Sequence, residues 1–464
     1  MFDPERAEIR FGCGLSPRLA PAGSTSEMLA RLKGPDEAAR RFEIPRLPSI
    51  RKQALKFADA RDAYFHAETK ADRQAGKKRY KVHTRAMRQA SIGWFGQTLL
   101  RRVHGEDGMR ERLTAFWADH FTAVGRDEIT RMAHPIYIEE AIRPYVSGRF
   151  IDMLREVTTH PLMLVYLDQN SSIGPNSSAA RNRKKNKKKK SGLNENLARE
   201  LLELHTLGVK GPYTQQDVRQ LAELLTGLHF SIRDGVTFKP NLAEPGAETI
   251  LGTIYGGDTP KMSDINALLF DLAVHPVTAA HLSRKLAVHF ISDTPDPALI
   301  EAMTKRYLET ASDLHAVYEV MLNHPSAWDF SNRNVKQPLD FVSSTLRALD
   351  IAPDHPALTK PSRLLGTFFG PMTLMGQAWG QAPGPDGWPE ADEQWITPQR
   401  LAARLQWAMS VPYKLRRVLP HPREFVEVAL GRDAPEAVRF AAGAAESRTE
   451  GVGLILASPA FQRM

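Results

Sequence analysis

Apolar positions recur with a helical period over most of this 464-residue chain, in segments punctuated by Pro, Gly and Asn. The clearest periodic runs predict helices over 82–103, 109–124, 134–146, 194–208, 214–229, 262–273, 276–291, 296–309, 311–323, 335–349, 397–410 and 422–431. One stretch changes period. HFSIRDGVTFKP alternates on either side of an Asp-Gly turn, and TILGTIYGG follows, which predicts a small β-hairpin near 229–255. The expected fold class is therefore mainly α, a multi-helix, bundle-like architecture. Pro- and Gly-rich seams at 169–193 and 376–396 suggest an N-terminal helical region (1–170), a basic loop (171–193), a central helical region (194–375) and a Trp-rich C-terminal region (376–464). The single GxG, Gly12 to Gly14, lacks a third glycine and a preceding strand, so no phosphate loop is expected.

The best specified element is LNENLARELLELHTLGVKGPYTQQDVRQLAELLTGLHF, which reads as two antiparallel helices. Asn194 is placed to cap the first. Gly208 and Gly211-Pro212 break it, and Thr214 with Asp217 makes the acidic form of a capping box for the second. At about 100° per residue, Asn196, Arg199, Glu200, Glu203 and Thr206 share one polar arc, whereas His205 falls among the leucines. An unbroken helix cannot aim Glu203 and His205 at one ion. Two readings of the arc stand: a plain Arg199–Glu203 ion pair, or a site for a cation or a substrate.

In MRERLTAFWADHFTAV, His120 also lies on the apolar stripe, with Asp119 beside it. If the two helices pack together, His120 and His205 meet in one dry pocket, and burial lowers both pKa values. Asp168 and Asn170 close the apolar run LMLVYLDQN. Asp168, Glu200 and Glu203, near the amides of Asn170, Asn194 and Asn196, would form an oxygen-rich set suited to a divalent cation such as Mg or Ca. The expected roles are Glu200, Glu203, His205, His120 and Arg199 in catalysis, and Asn170, Asn194, Asn196 and Tyr213 in substrate binding.

Composition changes this picture in three places. The lone Cys13 excludes an intramolecular disulfide and a cysteine-based zinc site, which fits a reducing compartment. The net charge of +9 is concentrated, because RNRKKNKKKK at 181–190 holds eight of the 62 basic side chains and no acidic one. That run is a solvated insertion or a contact for an anionic surface. Nucleic acid is not expected there, since no aromatic side chains interleave with the charges. A second basic stretch, Lys70 to Arg88, falls in a helix and reads as a solvated face. No apolar run is long enough for a transmembrane segment, and the first residues do not read as a signal peptide, so a cytoplasmic location is expected.

Four of seven tryptophans, Trp379, Trp388, Trp395 and Trp407, cluster within a Gly/Pro-rich stretch and the following helix. Such rings stack on sugars or bases, or pin an irregular loop through an indole N–H bonded to a carbonyl. Thr397-Pro398 marks a helix start that is expected to anchor this loop through Trp407.

Collinear segments complete the pattern: FGCGLSP (11–17), FWADHF (116–121), HPLMLVYLDQNSS (160–172), NENLARELLELHTLG (194–208), HPVTAAHLSRKL (275–286), RNVKQPLDFVSSTLRAL (333–349), GWP (387–389) and LASPAFQ. Together they resemble the bacterial "domain of unknown function 1800" family across nearly the whole chain. The resemblance implies a mostly helical protein without an established activity. Many members are exported and are encoded beside a family resembling sulfatases and alkaline phosphatases. Its polar motif positions correspond to Asp168, Asn170, Asn194, Asn196, Arg199, Glu200, Glu203, His205, Thr206, Tyr213 and Asp217. Where members show His-Asp, Gly and then Lys, this chain has Ala243-Glu244, Gly246 and Glu248. Two functions fit: an enzyme with a carboxylate- and amide-rich, cation-assisted site, or a non-catalytic partner or maturation factor for a sulfatase-like protein.

Overall fold

The structure, a computed structural model, describes residues 2–125, 128–185, 192–329, 331 and 333–464. It is mainly helical, with two separate two-stranded antiparallel sheets. The Asp-Gly turn joins β1 (Leu228–Ser231) to β2 (Gly235–Phe238), with Ser231 opposite Gly235. The TILGTIYGG run does not extend that hairpin. It forms a second one, β3 (Gly246–Ile250) and β4 (Thr253–Gly257), turning at Leu251-Gly252, both with positive φ.

The longest elements are α1 (Leu47–Phe65) and α2 (Lys70–His104), packed as a helical hairpin. Gly76 is where they cross: a Cβ there would lie 2.5 Å from the Ala63 carbonyl oxygen. The distal half of α2 packs little beyond α1, and a small cluster of Phe57, Met87 and Met132 closes the hairpin. The proximal half enters a hydrophobic core with Phe95, Leu99, Phe341, Phe368, Trp407 and Phe461. A larger core gathers α3 (Gly108–His120), the signature hairpin and α6 (Pro276–Phe290) through Trp117, Phe121, Leu201, Leu221, Leu286 and Tyr318.

The signature hairpin begins as α4 (Asn196–Glu200) and widens into a π-helical stretch, Leu201–Thr206, before α5 (Gln215–Leu224). The Thr214/Asp217 capping box is present. Glu195 is the N-cap residue, and Asn194 contributes by accepting the Asn196 N–H at 2.9 Å. The π stretch does not reverse the helical projection: His205 is buried, whereas Glu203 stays at the surface with Arg199. Residues 181–185 of the basic run end a helix, Ser178–Lys185; residues 186–190 lie outside the described residues. No single helix among the described residues is long and apolar enough to cross a membrane.

Candidate functional site

Five of the six His-Pro pairs, all but His134-Pro135, show what an ordinary histidine does in this fold. His160, His275, His324, His355 and His421 each precede a helix-starting proline, and each Nδ1 accepts the backbone N–H two residues on. These imidazoles are helix caps. The remaining histidines of the interior are different.

His120, on α3, and His205, on the π stretch, do pack together, with ring centroids 6.3 Å apart. His120 Nε2 bonds to the His205 carbonyl at 3.2 Å, and its Nδ1 faces Lys285 Nζ at 3.1 Å. Because an ammonium only donates, Nδ1 accepts and Nε2 carries the proton. Burial, then the Lys285 charge, drives His120 well below the ordinary histidine range. The same two causes bring His205 to about 3 and His281 to about 4. Each of the latter two keeps one buried ring nitrogen without a partner, His205 Nδ1 and His281 Nε2. The expected meeting of two neutral imidazoles is thus a three-histidine group around one lysine.

His281, Lys285 and His289 lie at i, i+4 and i+8 on α6, so one helical face carries all three. His289 turns to the other side of α3. Its Nδ1 reaches both carboxylate oxygens of Glu390, at 2.9 and 3.1 Å, and its Nε2 faces Arg112 at 3.5 Å. The guanidinium cannot accept, so Nδ1 donates to Glu390 and Nε2 keeps its lone pair. Glu390 comes from the Trp-rich loop, as does Trp388, whose backbone N–H donates to Asp119 Oδ1 at 2.9 Å. Gly387 makes this approach feasible: its φ is +82°, and a Cβ would sit 2.7 Å from Asp119 Oδ1.

The two carboxyls of this site are driven apart. Burial, then the nearby Glu390 charge, pushes Asp119 up to about 8. Burial also penalises the Glu390 carboxylate, yet His289, Lys285 and Arg112 outweigh it and hold Glu390 below the ordinary range. At neutral pH the structure therefore keeps one protonated acid and one ionised base in contact with the same loop.

A cavity of about 110 Å³ opens beside them. Asp119, His289, Thr114, His134, Trp388 and Asp340 are among its walls. Asp340 anchors the charges at its base by pairing with Arg102, and it faces Arg112 Nε at 3.5 Å. Thr114 Oγ1 and His134 Nδ1 are buried without a hydrogen-bond partner, so the cavity holds unused polar atoms. Burial lowers His134 to about 4, leaving it neutral.

The sequence-derived site residues do not line this cavity, and Asn170 lines a different one. Burial, then Glu203, raises Glu200 to about 7, with a smaller contribution from Asp386 of the Trp-rich loop. Glu203 and Glu195 pair with Arg199 at 3.3 and 3.2 Å, so the ion-pair reading of the arc is realised. The Tyr213 hydroxyl lies 3.2 Å from the Val209 carbonyl and next to Glu203. The amides serve the backbone instead. Asn170 clamps both the N–H and the C=O of Phe230 on β1, and Asn194 donates to the Leu167 carbonyl. Asn196 is exposed on the first turn of α4. Asp168 occupies a left-handed conformation, φ 57°, and its carbonyl accepts from Ser171.

The cation set expected from Asp168, Glu200 and Glu203 is not assembled: no group of three or more His, Cys, Asp or Glu among the described residues could hold a metal ion. The reason is local. Glu203 is committed to Arg199, and Asp168 ends the loop that feeds the Asn170 clamp. Trp407 does not anchor the Trp-rich loop either; its indole donates to the Thr367 carbonyl, and Trp395, bonded to the Pro389 carbonyl, pins the loop.

Where the family resemblance breaks, the substitutions form a coherent patch. Ala243 is buried beneath Gly227, Glu244 accepts from both the backbone and the side chain of Asn176, and Glu248 bonds to Glu223. Burial, then Glu223, raises Glu248 to about 7.

Asp119, Lys285, His281 and Trp388 all fall inside the collinear segments FWADHF, HPVTAAHLSRKL and GWP, and Glu390 follows directly. The i, i+4, i+8 spacing on α6 was the available signal for His281, Lys285 and His289. No curated protein and no solved structure matches the chain. A family model described as "Protein of unknown function (DUF1800)" matches residues 8–463, and the chain belongs to that family.

Proposed function

We propose that this chain is an enzyme of the general acid–base type, acting on a small polar group admitted to the cavity beside Asp119. Asp119 is the acid: one oxygen accepts from Trp388 and the other carries the proton at neutral pH. His289 is the base, held by Glu390 at Nδ1; its Nε2 lone pair, which accepts from Arg112 at 3.5 Å, passes to the ligand that enters the cavity. Thr114 Oγ1 and His134 Nδ1 supply unused polar atoms for orienting a ligand. Lys285 keeps His120 neutral and, through its charge, helps to hold Glu390 ionised.

The observation that carries this reading is the pair itself: Asp119 and the Glu390–His289 dyad, brought together on one cavity with opposite proton affinities. Group transfer to water, at a carbonyl or phosphoryl centre, needs only such a donor and acceptor. A panel of p-nitrophenyl esters and phosphates tests it. Hydrolysis above background should fall at least about 100-fold in Asp119→Asn and in His289→Gln, with the far-UV spectrum unchanged. Absence of turnover across the panel, or turnover that survives both substitutions, overturns the proposal.

A further inference from the structure

The distal half of α2 carries Lys70, Lys77, Lys78, Lys81, Arg85 and Arg88, all exposed and none in an ion pair among the described residues. At about 100° per residue these six fall within an arc of roughly 100°, on a face turned away from the Gly76, Tyr80 and Met87 contacts with α1. From Lys70 to Arg88 the stripe is about 27 Å long, with no acidic side chain on it. Gln74 also falls on that arc, and the exposed Val82 lies about 40° beyond its Lys78 edge.

The stripe ends at a pocket. Arg88, the last cation, lines a cavity of about 350 Å³ together with Arg131, Phe95, Phe369 and Trp379. The three aromatic side chains form one cluster: Phe95 and Trp379 centroids lie 4.9 Å apart, and Phe95 and Phe369 6.1 Å. Trp379 and Phe369 are only partly buried, so ring surface is presented to this space.

We propose that α2 and this aromatic pocket form a binding track for single-stranded nucleic acid. The stripe follows the phosphate backbone, and a base leaving the stripe stacks on Trp379 and Phe369, which Phe95 backs from below. A linear row of unpaired cations leading to π-faces is the combination that single strands require, because the charges are regular and every base has a stacking face. An anionic bilayer would use the same cations, but it also needs a row of apolar side chains on the docking face, and this face is flanked by the single exposed Val82. A duplex would keep its bases stacked internally and leave the aromatic pocket unused. The proposal concerns binding alone and stands apart from the chemistry assigned to Asp119, although the two cavities share His134, Trp379 and Gly380 as a wall.

Fluorescence anisotropy of the full chain with a labelled oligothymidylate of about 15 nucleotides tests this directly. Binding at low salt should weaken linearly in log–log salt titration. The Lys77→Glu/Lys81→Glu/Arg85→Glu variant should weaken it at least about 100-fold and flatten the salt slope by about 2. Trp379→Ala should weaken binding by roughly tenfold at unchanged slope, and Asp119→Asn should leave it unaltered. The proposal is overturned by no binding at low salt, by binding indifferent to the triple reversal, or by duplex competing as well as single strand. Binding to phosphatidylserine vesicles that the oligonucleotide does not displace would likewise overturn it.

Discussion

The cations of the cavity wall and those of the α2 stripe are the same residue types under opposite conditions. Inside, Arg101 bonds Glu139, Arg102 bonds Asp340, and Arg143 is shared by Glu111 and Asp36. Arg101, Arg102 and Arg112 are each about 1% exposed, so a missing partner could not be replaced by water. Outside, the six stripe cations are exposed and pair with no carboxylate among the described residues. A buried guanidinium spends its charge on holding a wall in shape, whereas an exposed and unpaired one keeps its charge for something arriving from outside. Net charge by itself does not distinguish the two, which is why locating each charge matters more than the total of +9.

The sharpest way to break this contrast is to strip a buried partner. Asp340→Ala leaves Arg102 uncompensated and removes the carboxylate facing Arg112, and all three groups are buried. A loss of about 3–5 kcal/mol is expected, enough to consume much of the stability of an ordinary domain. Urea denaturation reads it directly, and an unchanged midpoint would mean that water reaches these groups after all.

The next largest effect lies on the arm. An alanine in place of a mid-helix glycine ordinarily gains up to about 1 kcal/mol. At Gly76 the added Cβ meets the backbone of Ala63 at 2.5 Å, and a backbone cannot move aside as a side-chain end can. Gly76→Ala should therefore destabilise by about 1–3 kcal/mol, opposite in sign to its propensity. Thermal unfolding of the two proteins decides the sign.

A smaller and pH-dependent effect isolates Asp119. Its pKa is near 8 in the folded chain and near 4 when unfolded, so over that interval the folded state holds a proton that the unfolded state lacks. That stabilisation is complete below the unfolded value and is lost as pH rises to about 8. Glu200 and Glu248, near 7, act in the same sense but are spent by then. The neutral histidines act in the opposite sense and only below about 6.5, where the unfolded chain takes up protons that His120, His134, His205 and His281 refuse. Between pH 7 and 8 the wild type should thus lose up to about 1.4 kcal/mol that Asp119→Asn does not, measured as unfolding free energy at each pH.

Much of the fold is legible in residue order because its determinants are local. The capping box at Thr214, the Asp-Gly turn, the proline starts at 276, 297, 398 and 422, and the buried His120 and His205 all follow from spacing within one or two turns. The site is less legible because it is assembled across the chain. Asp119 becomes an acid only when Gly387 lets the Trp-rich loop settle on it, and Glu390 and His289 are 101 positions apart. The oxygen-rich cation set failed for the converse reason: Asn170 and Asn194 look like ligands in a list of residue types, yet each spends its amide on a backbone group that periodicity cannot see. The aromatic pocket joins residue 95 to residues 369 and 379, so its rings come together from distant parts of the sequence.

The smallest stability effect belongs to the stripe, and its smallness is what gives it meaning. Lys77, Lys81 and Arg85 contact no carboxylate among the described residues and bury no surface that the fold depends on. Reversing all three adds three negative charges to a segment dominated by cations, which relieves like-charge repulsion along α2 as readily as it removes favourable terms. The unfolding free energy should therefore shift by less than about 0.5 kcal/mol in either direction, as for surface substitutions in general. Added salt should shrink even that difference, since the charges are screened over about 10 Å at 0.1 M. A loss well above 1 kcal/mol in urea denaturation would show that these cations hold the arm to the body. They would then be structural like those of the cavity wall, and the distinction between spent and available charge would fail at the place where it is clearest.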